Sequence, residues 1–273
     1  MSEVTGISLI SIGAGRMASA IINGLLKNGR YTPQQVMCTC GDDPSGPDLA
    51  ARTGIHFSSD VGPFIAQAST LLLACKPQQL NTLPESYRQL TEGKLVVSIL
   101  AGVPLRRLQK VFPQARNIVR TMPNTPGQIG AGVTAYSSLQ ALIDSDQQSI
   151  EAILGALGVF VAVDENELDA VTALSGSGPA YCFAFVEAMR DAGIAMGLSA
   201  ETASMLAAET LYGSALLLKQ SDQSPQALRE AVTSPGGTTA AALDVLQQRD
   251  FSGLIQSALE AARDRSLELG AQN

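Results

Sequence analysis

The chain has 273 residues, 45% of them apolar and only 16% charged, which predicts a globular protein with a sizeable core and excludes a disordered chain. Its net charge of −7 argues against nucleic acid and anionic membranes as partners, since both ask for basic patches. No apolar run reaches about 18 residues, so no membrane-spanning helix is expected.

The first stretch, MSEVTGISLISIG, has no basic n-region and runs straight into a strand, so no signal peptide is expected. ISLISIG (7–13) reads as a buried strand and 16–28 as a helix. VMCTC (36–40), TLLLAC (70–75), KLVVSIL (94–100) and RNIVRT (116–121) read as four more strands, with helical stretches around 77–92 and 103–111. GVTAYS and GVFVAV add two strands. This alternation predicts a mostly parallel sheet with helices on both faces. After about residue 164 the pattern changes: Asp164 with Glu167 resembles a helix-start capping pair, and no β-rich run follows. The last helix carries Phe251, Leu254, Ile255, Ala258, Leu259 and Ala262 on one face. Two domains are therefore expected, an α/β domain over 1–163 and an all-helical one over 164–273. The second is rich in small residues (Ala207, Ala208, Ala215 and 240–242), which permit close helix approach and point to a subunit interface.

SIGAGRMASAI (11–21) follows the first strand and opens a helix, and Gly13, Gly15 and Ala18 fit G-x-G-x-x-G/A. Gly13 permits the tight turn. Gly15 lets a pyrophosphate approach the backbone, and Ala18 lets the helix pack close to the sheet. At the end of the second strand, CTCGDD offers Asp42 and Asp43, acids that favour NAD, whereas Arg16 after the glycines could offset the extra phosphate of NADP. CKPQ (75–78) ends the third of these strands and puts Lys76 near a cofactor; MPNTP (122–126) ends the fifth and puts Asn124 beside the expected nicotinamide.

The four cysteines, Cys38, Cys40, Cys75 and Cys182, show no zinc spacing and read as structural thiols in a reducing, cytoplasmic setting. His56 is the single histidine and lies away from both glycine motifs, which disfavours a histidine general base, a triad or a metal hydrolase.

Two glycine-rich motifs interrupt the helical half: SGSGPAY (175–181) and TSPGGTT (233–239). Each glycine inside a helix costs about 1 kcal/mol relative to alanine, so both invite an explanation. In the second, Ser234 suits the N-cap and Pro235 the first helical position. Gly236, Gly237 and Thr238 would then offer free N–H groups to a carboxylate, assisted by the hydroxyls of Thr238 and Thr239.

Together IGAGRM, CKPQ, MPNTP, DAVTALSGSGPAY, EAMRDAGIAMGL and the run from VTSPGGTT to RSLELG resemble the pyrroline-5-carboxylate reductase family over nearly the whole chain. The resemblance implies a Rossmann-type domain followed by a helical dimerisation domain. It also implies homodimers that assemble into larger rings, up to a decamer, and reduction of L-1-pyrroline-5-carboxylate to L-proline with NADPH or NADH, usually NADPH. By that resemblance Gly13, Ala14, Gly15, Arg16 and Met17 cradle the dinucleotide, and Ala74, Lys76, Pro77 and Asn124 lie along its nicotinamide half. Ser234, Gly236, Gly237, Thr238 and Thr239 hold the substrate, with Ser234 and Thr239 as the catalytic hydroxyls and Thr239 bonding the ring nitrogen. Asp222 stands where the family often has a glutamate, and Arg16 replaces the more usual Asn or Gln. A β-hydroxyacid dehydrogenase shares the two-domain plan but needs a lysine early in the helical domain, and no lysine occurs between Asp164 and Lys219. A dinucleotide-sensing protein would keep the glycine loop without a carboxylate pocket.

Overall fold

In the computed structural model, which describes residues 6–272, the central strands are short and closed to water. The strands are β1 (Leu9–Ile12), β2 (Val36–Thr39), β3 (His56–Phe57), β4 (Thr70–Leu73), β5 (Leu95–Ser98), β6 (Asn117–Met122), β7 (Gly132–Ser138) and β8 (Gly158–Ala162). They form one sheet in the order β3-β2-β1-β4-β5-β6-β7-β8. All neighbouring pairs are parallel except β6 with β7. β1, β2, β4 and β5 are buried at every position, because a parallel sheet covered on both faces has no side left for solvent.

The alternation within each strand sorts side chains into two cores. Ile10, Leu71, Val96 and Ile118 pack on one side with Leu105, Leu108 and Val111 of the helix Leu105–Val111. Leu9, Leu72, Val97 and Val119 pack on the other with Ile21, Ile22 and Leu25 of the helix Arg16–Lys27. The α/β expectation holds, with two local differences. β3 has only two residues and escapes a periodicity argument. The helical stretch expected over 77–92 is a 3-10 turn, Pro77–Thr82, and a separate short helix, Glu85–Gln89, broken where Pro84 withholds an N–H. Beyond β8, Asp164 donates its N–H to the Glu167 carboxylate at 2.9 Å, and the chain then turns helical at Leu168–Val171.

Packing divides the chain into two units. One runs through Ser177 and takes in the chain again from Ala262 onward; the other is Gly178–Ala261. The returning C-terminal helix is held in the first unit by Ser266, whose hydroxyl donates to the Asp169 carboxylate at 2.6 Å. The second unit contains the helices Gly178–Ala195, Ala200–Gln220, Pro225–Ala231 and Thr238–Gln248. Gly193 admits Ala203 between the first two of these, 3.2 Å from where a Cβ would stand. Within 178–261 only Gly193, Ala203 and Ala207 are buried. Phe183, Met196, Tyr212, Val232 and Leu254 are all more than half exposed, and Phe251 and Ile255 are exposed too. Of the apolar stripe legible on the last helix, Phe251, Leu254 and Ile255 stand exposed among the described residues, and Leu259 and Ala262 are partly buried.

Candidate functional site

The glycine loop is built by a close approach of two backbones. Gly13 has φ +113°, and the place where its Cβ would stand is filled by the carbonyl oxygen of Ala74, with the Cys75 nitrogen 2.7 Å away. The Gly13 N–H donates to the Thr39 carbonyl at 2.9 Å. β1 is thereby gripped between β2 and β4, where the strand order reverses and open α/β sheets bind ligands. Gly15 caps the helix Arg16–Lys27, and nothing lies within 4 Å of its absent Cβ. The N-terminal N–H groups of that helix are therefore open to an anion.

A cleft of about 610 Å³ opens at the carboxyl ends of β1, β2 and β4, lined by Gly13, Ala14, Gly15, Ala74 and Lys76 together with Thr39, Asp42 and Asp43. Hydrogen bonds from Ser45 hold the Asp43 carboxyl below the usual carboxylate range, and the Lys76 ammonium adds to this. Lys76 begins its 3-10 turn with its N–H donated to the Gln79 side chain at 2.9 Å. Ser45, Gln79 and Tyr87 also line the cleft, and sequence reasoning missed all three. Gln79 lies just past CKPQ and was within reach of that motif. Tyr87 carried no local signal: its hydroxyl donates to Asp60 at 2.9 Å and accepts the Val61 N–H at 3.0 Å, contacts made across 26 residues or more.

Arg16 faces an adjoining cleft of about 790 Å³, shared with Ser45, Arg52 and Gln128. Met17 packs against the core beneath the loop, and Pro77 opens the turn after Lys76. The Asn124 side chain bridges two segments: its Nδ2 donates to the Ser175 carbonyl at 3.2 Å, and its Oδ1 accepts the Val133 N–H at 3.0 Å.

In the helical unit the TSPGGTT motif departs from expectation. Ser234 is not an N-cap and Pro235 is not the first helical residue. The helix starts at Thr238 with Gly237 as its cap, and the Gly237 N–H donates to the Ser234 carbonyl at 3.0 Å. Gly236 sits at φ +70°, so residues 234–237 form a turn in which Pro235 sets the second position and glycine, free of a Cβ, suits the third. Nearby, Ser224 and Pro225 do cap and open a helix, with the Ala227 N–H donating to Ser224 Oγ at 3.2 Å. The same dipeptide has two outcomes because glycine follows only the second. The turn and the helix start gather Ser234, Gly236, Gly237, Thr238 and Thr239 on consecutive backbone, while Asp222 lies exposed in the link between two other helices.

Two family models match: "Pyrroline-5-carboxylate reductase dimerisation" over residues 165–269 and "NADP oxidoreductase coenzyme F420-dependent" over 8–102. A pyrroline-5-carboxylate reductase from Synechocystis is 41% identical over 97% of this chain and 98% of its own length. The chain belongs to the pyrroline-5-carboxylate reductase family. Among solved structures, a reductase of this family from Coxiella burnetii superposes with a TM-score of 0.89 at 34% identity, covering 97% of this chain and 99% of the other. The Plasmodium falciparum pyrroline carboxylate reductase, solved with NADP bound, gives 0.84 at 29% identity over 97% and 98%. The dimerisation match covers the segment whose apolar side chains stand exposed in the single chain. Among the described residues no group of three or more His, Cys, Asp or Glu could hold a metal, and no helix is long and apolar enough to cross a membrane.

Proposed function

We propose that the chain reduces L-1-pyrroline-5-carboxylate to L-proline, the final step of proline biosynthesis, with hydride from NAD(P)H. The observation that carries this reading is the near-full-length identity to reductases of this name, joined to a dinucleotide cleft built on Gly13 and Ala74. The residues present suit a dinucleotide: Gly15 leaves open space, and an uncapped helix start faces it. When bound, NAD(P)H supplies the hydride. NADP(H) is favoured by the NADP-bound relative and the NADP family model, with NAD(H) accepted as well.

In this reading Gly13, Ala14, Gly15, Arg16 and Met17 hold the dinucleotide, and Ala74, Lys76, Pro77 and Asn124 flank its nicotinamide half. Ser234, Gly236, Gly237, Thr238 and Thr239 hold the imine, and Asp222 contributes from a neighbouring subunit. A cyclic imine becomes electrophilic once its nitrogen is protonated, and the substrate can bring that proton. The protein then needs no strong acid, which agrees with a chain whose single histidine is in β3. The backbone N–H groups after Gly237 hold the carboxylate, and Thr239 orients the ring nitrogen. Ser234 assists as a second hydroxyl. Orientation of this kind contributes about 7–11 kcal/mol in favourable cases.

Residues 1–163 serve the cofactor, and 164–273 serve dimerisation and substrate. The homodimer forms through the helical half, where the exposed apolar side chains need a cover, and dimers gather into a decamer. Cytoplasmic location, with no nucleic-acid or membrane partner, completes the reading.

The test is steady-state oxidation of NADPH and of NADH, followed by absorbance, with pyrroline-5-carboxylate as substrate. Turnover with either establishes the reductase. The ratio of the two reports whether Arg16 or the acids Asp42 and Asp43 govern the ribose end. No turnover with both, in folded dimeric protein, would overturn the reading.

A further inference from the structure

We propose that Asn124 is a positioning residue that clasps the MPNTP loop to a π-helical turn in the SGSGP motif, and that the reductase reaction depends on this clasp. The inference rests on the reductase reading above.

The turn is Thr172–Gly176, closed by the Ser177 N–H donating to the Thr172 carbonyl at 2.8 Å, a span of five residues. Single π-turns of this kind are rare and concentrate at functional sites. An α-helical ladder would pair the Ser175 carbonyl with the N–H of residue 179, but Pro179 has none. A carbonyl left without a partner is destabilising, and Asn124 Nδ2 supplies the donor at 3.2 Å. The other end of the same amide accepts the Val133 N–H at 3.0 Å, which fixes which end is nitrogen.

The next residue, Gly176, is gripped as well. The place of its Cβ is taken by the Met122 side chain, from the same loop. The end of the Met122 side chain thus lies against Gly176, next to the Ser175 carbonyl that Asn124 holds. Room for the amide comes from Gly132, where a Cβ would stand 2.9 Å from Asn124 Oδ1. The loop hangs from the carboxyl end of β6, and the turn is the last one before the helix Gly178–Ala195. The clasp ties the loop to that turn. Within the motif Gly176 leaves room for the end of the Met122 side chain, and Pro179 frees a carbonyl for Asn124.

Two substitutions attack the clasp from opposite sides. Asn124→Asp keeps the acceptor for Val133 but faces the Ser175 carbonyl with oxygen. Gly176→Val presses on Met122 and on Thr172, whose Cγ2 lies 3.7 Å from where a Cβ would stand, and keeps the Asn124 amide; it carries the test if the first variant does not fold. Both are measured for NADPH dissociation constant, for kcat and KM with pyrroline-5-carboxylate, and for amide exchange over residues 172–178. The expected result in both variants is faster exchange there and a kcat lowered about 10- to 100-fold, with NADPH affinity within about twofold of the unsubstituted chain in the Gly176 variant. Unchanged exchange in Asn124→Asp, whatever its NADPH affinity, would show that the amide does not hold the turn and would overturn the proposal. Faster exchange with unchanged kcat would overturn it too. Turnover of the unsubstituted chain is measured first, so failure of the reductase reading shows there and failure of the clasp shows in the variants.

Discussion

The carbonyl oxygen of Ala74 stands where the side chain of residue 13 would begin, and Gly13 turns through φ +113° to meet it. This contact joins the glycine loop to the segment that leads into Lys76. Gly13→Ala is expected to destabilise the fold by about 1–3 kcal/mol from backbone strain alone and to abolish dinucleotide binding. Thermal unfolding and a fluorescence titration with NADPH check both; an unchanged Tm would show that β1 and β4 can part at no cost.

The two Ser-Pro pairs of the helical half separate a structural role from a functional one. Ser224→Ala removes a helix cap and is expected to cost about 1 kcal/mol of stability with kcat intact. Gly236→Ala forces a side chain into the left-handed region, at about 1–2 kcal/mol, and is expected to raise KM for the imine while leaving NADPH affinity alone. Equal effects of the two variants on KM would remove the 234–237 turn from the substrate site.

Thr239→Val is nearly isosteric but loses the hydroxyl. A kcat about 100-fold lower is expected, with Thr239→Ser retaining most of it, since losing the hydroxyl that orients the ring nitrogen misplaces the imine for hydride transfer. Full turnover by the valine variant would remove Thr239 from the reaction.

Leu254 is 65% exposed on a stripe that includes Phe251 and Ile255. Fully burying one such side chain is worth about 1.5–3 kcal/mol, so a partner copy gains much by covering the stripe. Leu254→Asp is expected to lower the sedimentation mass and to abolish turnover. A variant that remains fully assembled would place the interface elsewhere.

Burial pushes the Cys38 thiol up to about 12, from an ordinary value of 9.0, and neighbouring Cys40 adds to the shift. Below pH 9 the thiol is protonated in folded and unfolded chain alike, and its stabilising share is complete. Between 9 and 12 only the unfolded chain loses the proton, so stability falls, by up to about 1.4 kcal/mol per pH unit. Denaturation of the unsubstituted chain and of Cys38→Ala at pH 8 and pH 10 should show a steeper decline in the former. Parallel declines would contradict the shifted thiol.

Much of the fold and of the cofactor loop was legible in the amino-acid order. Short runs rich in Leu and Ile, such as Leu9–Ile12 and Thr70–Leu73, announced a sheet covered on both faces, and GAGRM after the first of them announced the ligand loop. Local chemistry carries such signals because strand burial and a βα turn are decided within a dozen residues. The Ser-Pro reading failed at Ser234 and Pro235, where Gly236 offered a cheaper turn; the structure shows the same pair opening a helix at Ser224 and Pro225 instead.

By itself, then, the amino-acid order determined the sheet, the glycine loop, the helical half and the family, since each rests on short-range pattern. Only the tertiary structure decided that Asn124 answers Ser175 and that Tyr87 reaches Asp60. It alone decided, too, that Phe251, Leu254 and Ile255 on the last helix stay exposed among the described residues. These contacts join residues far apart in sequence, and whether a donor meets an orphaned carbonyl, or an apolar face meets another, depends on how distant elements pack.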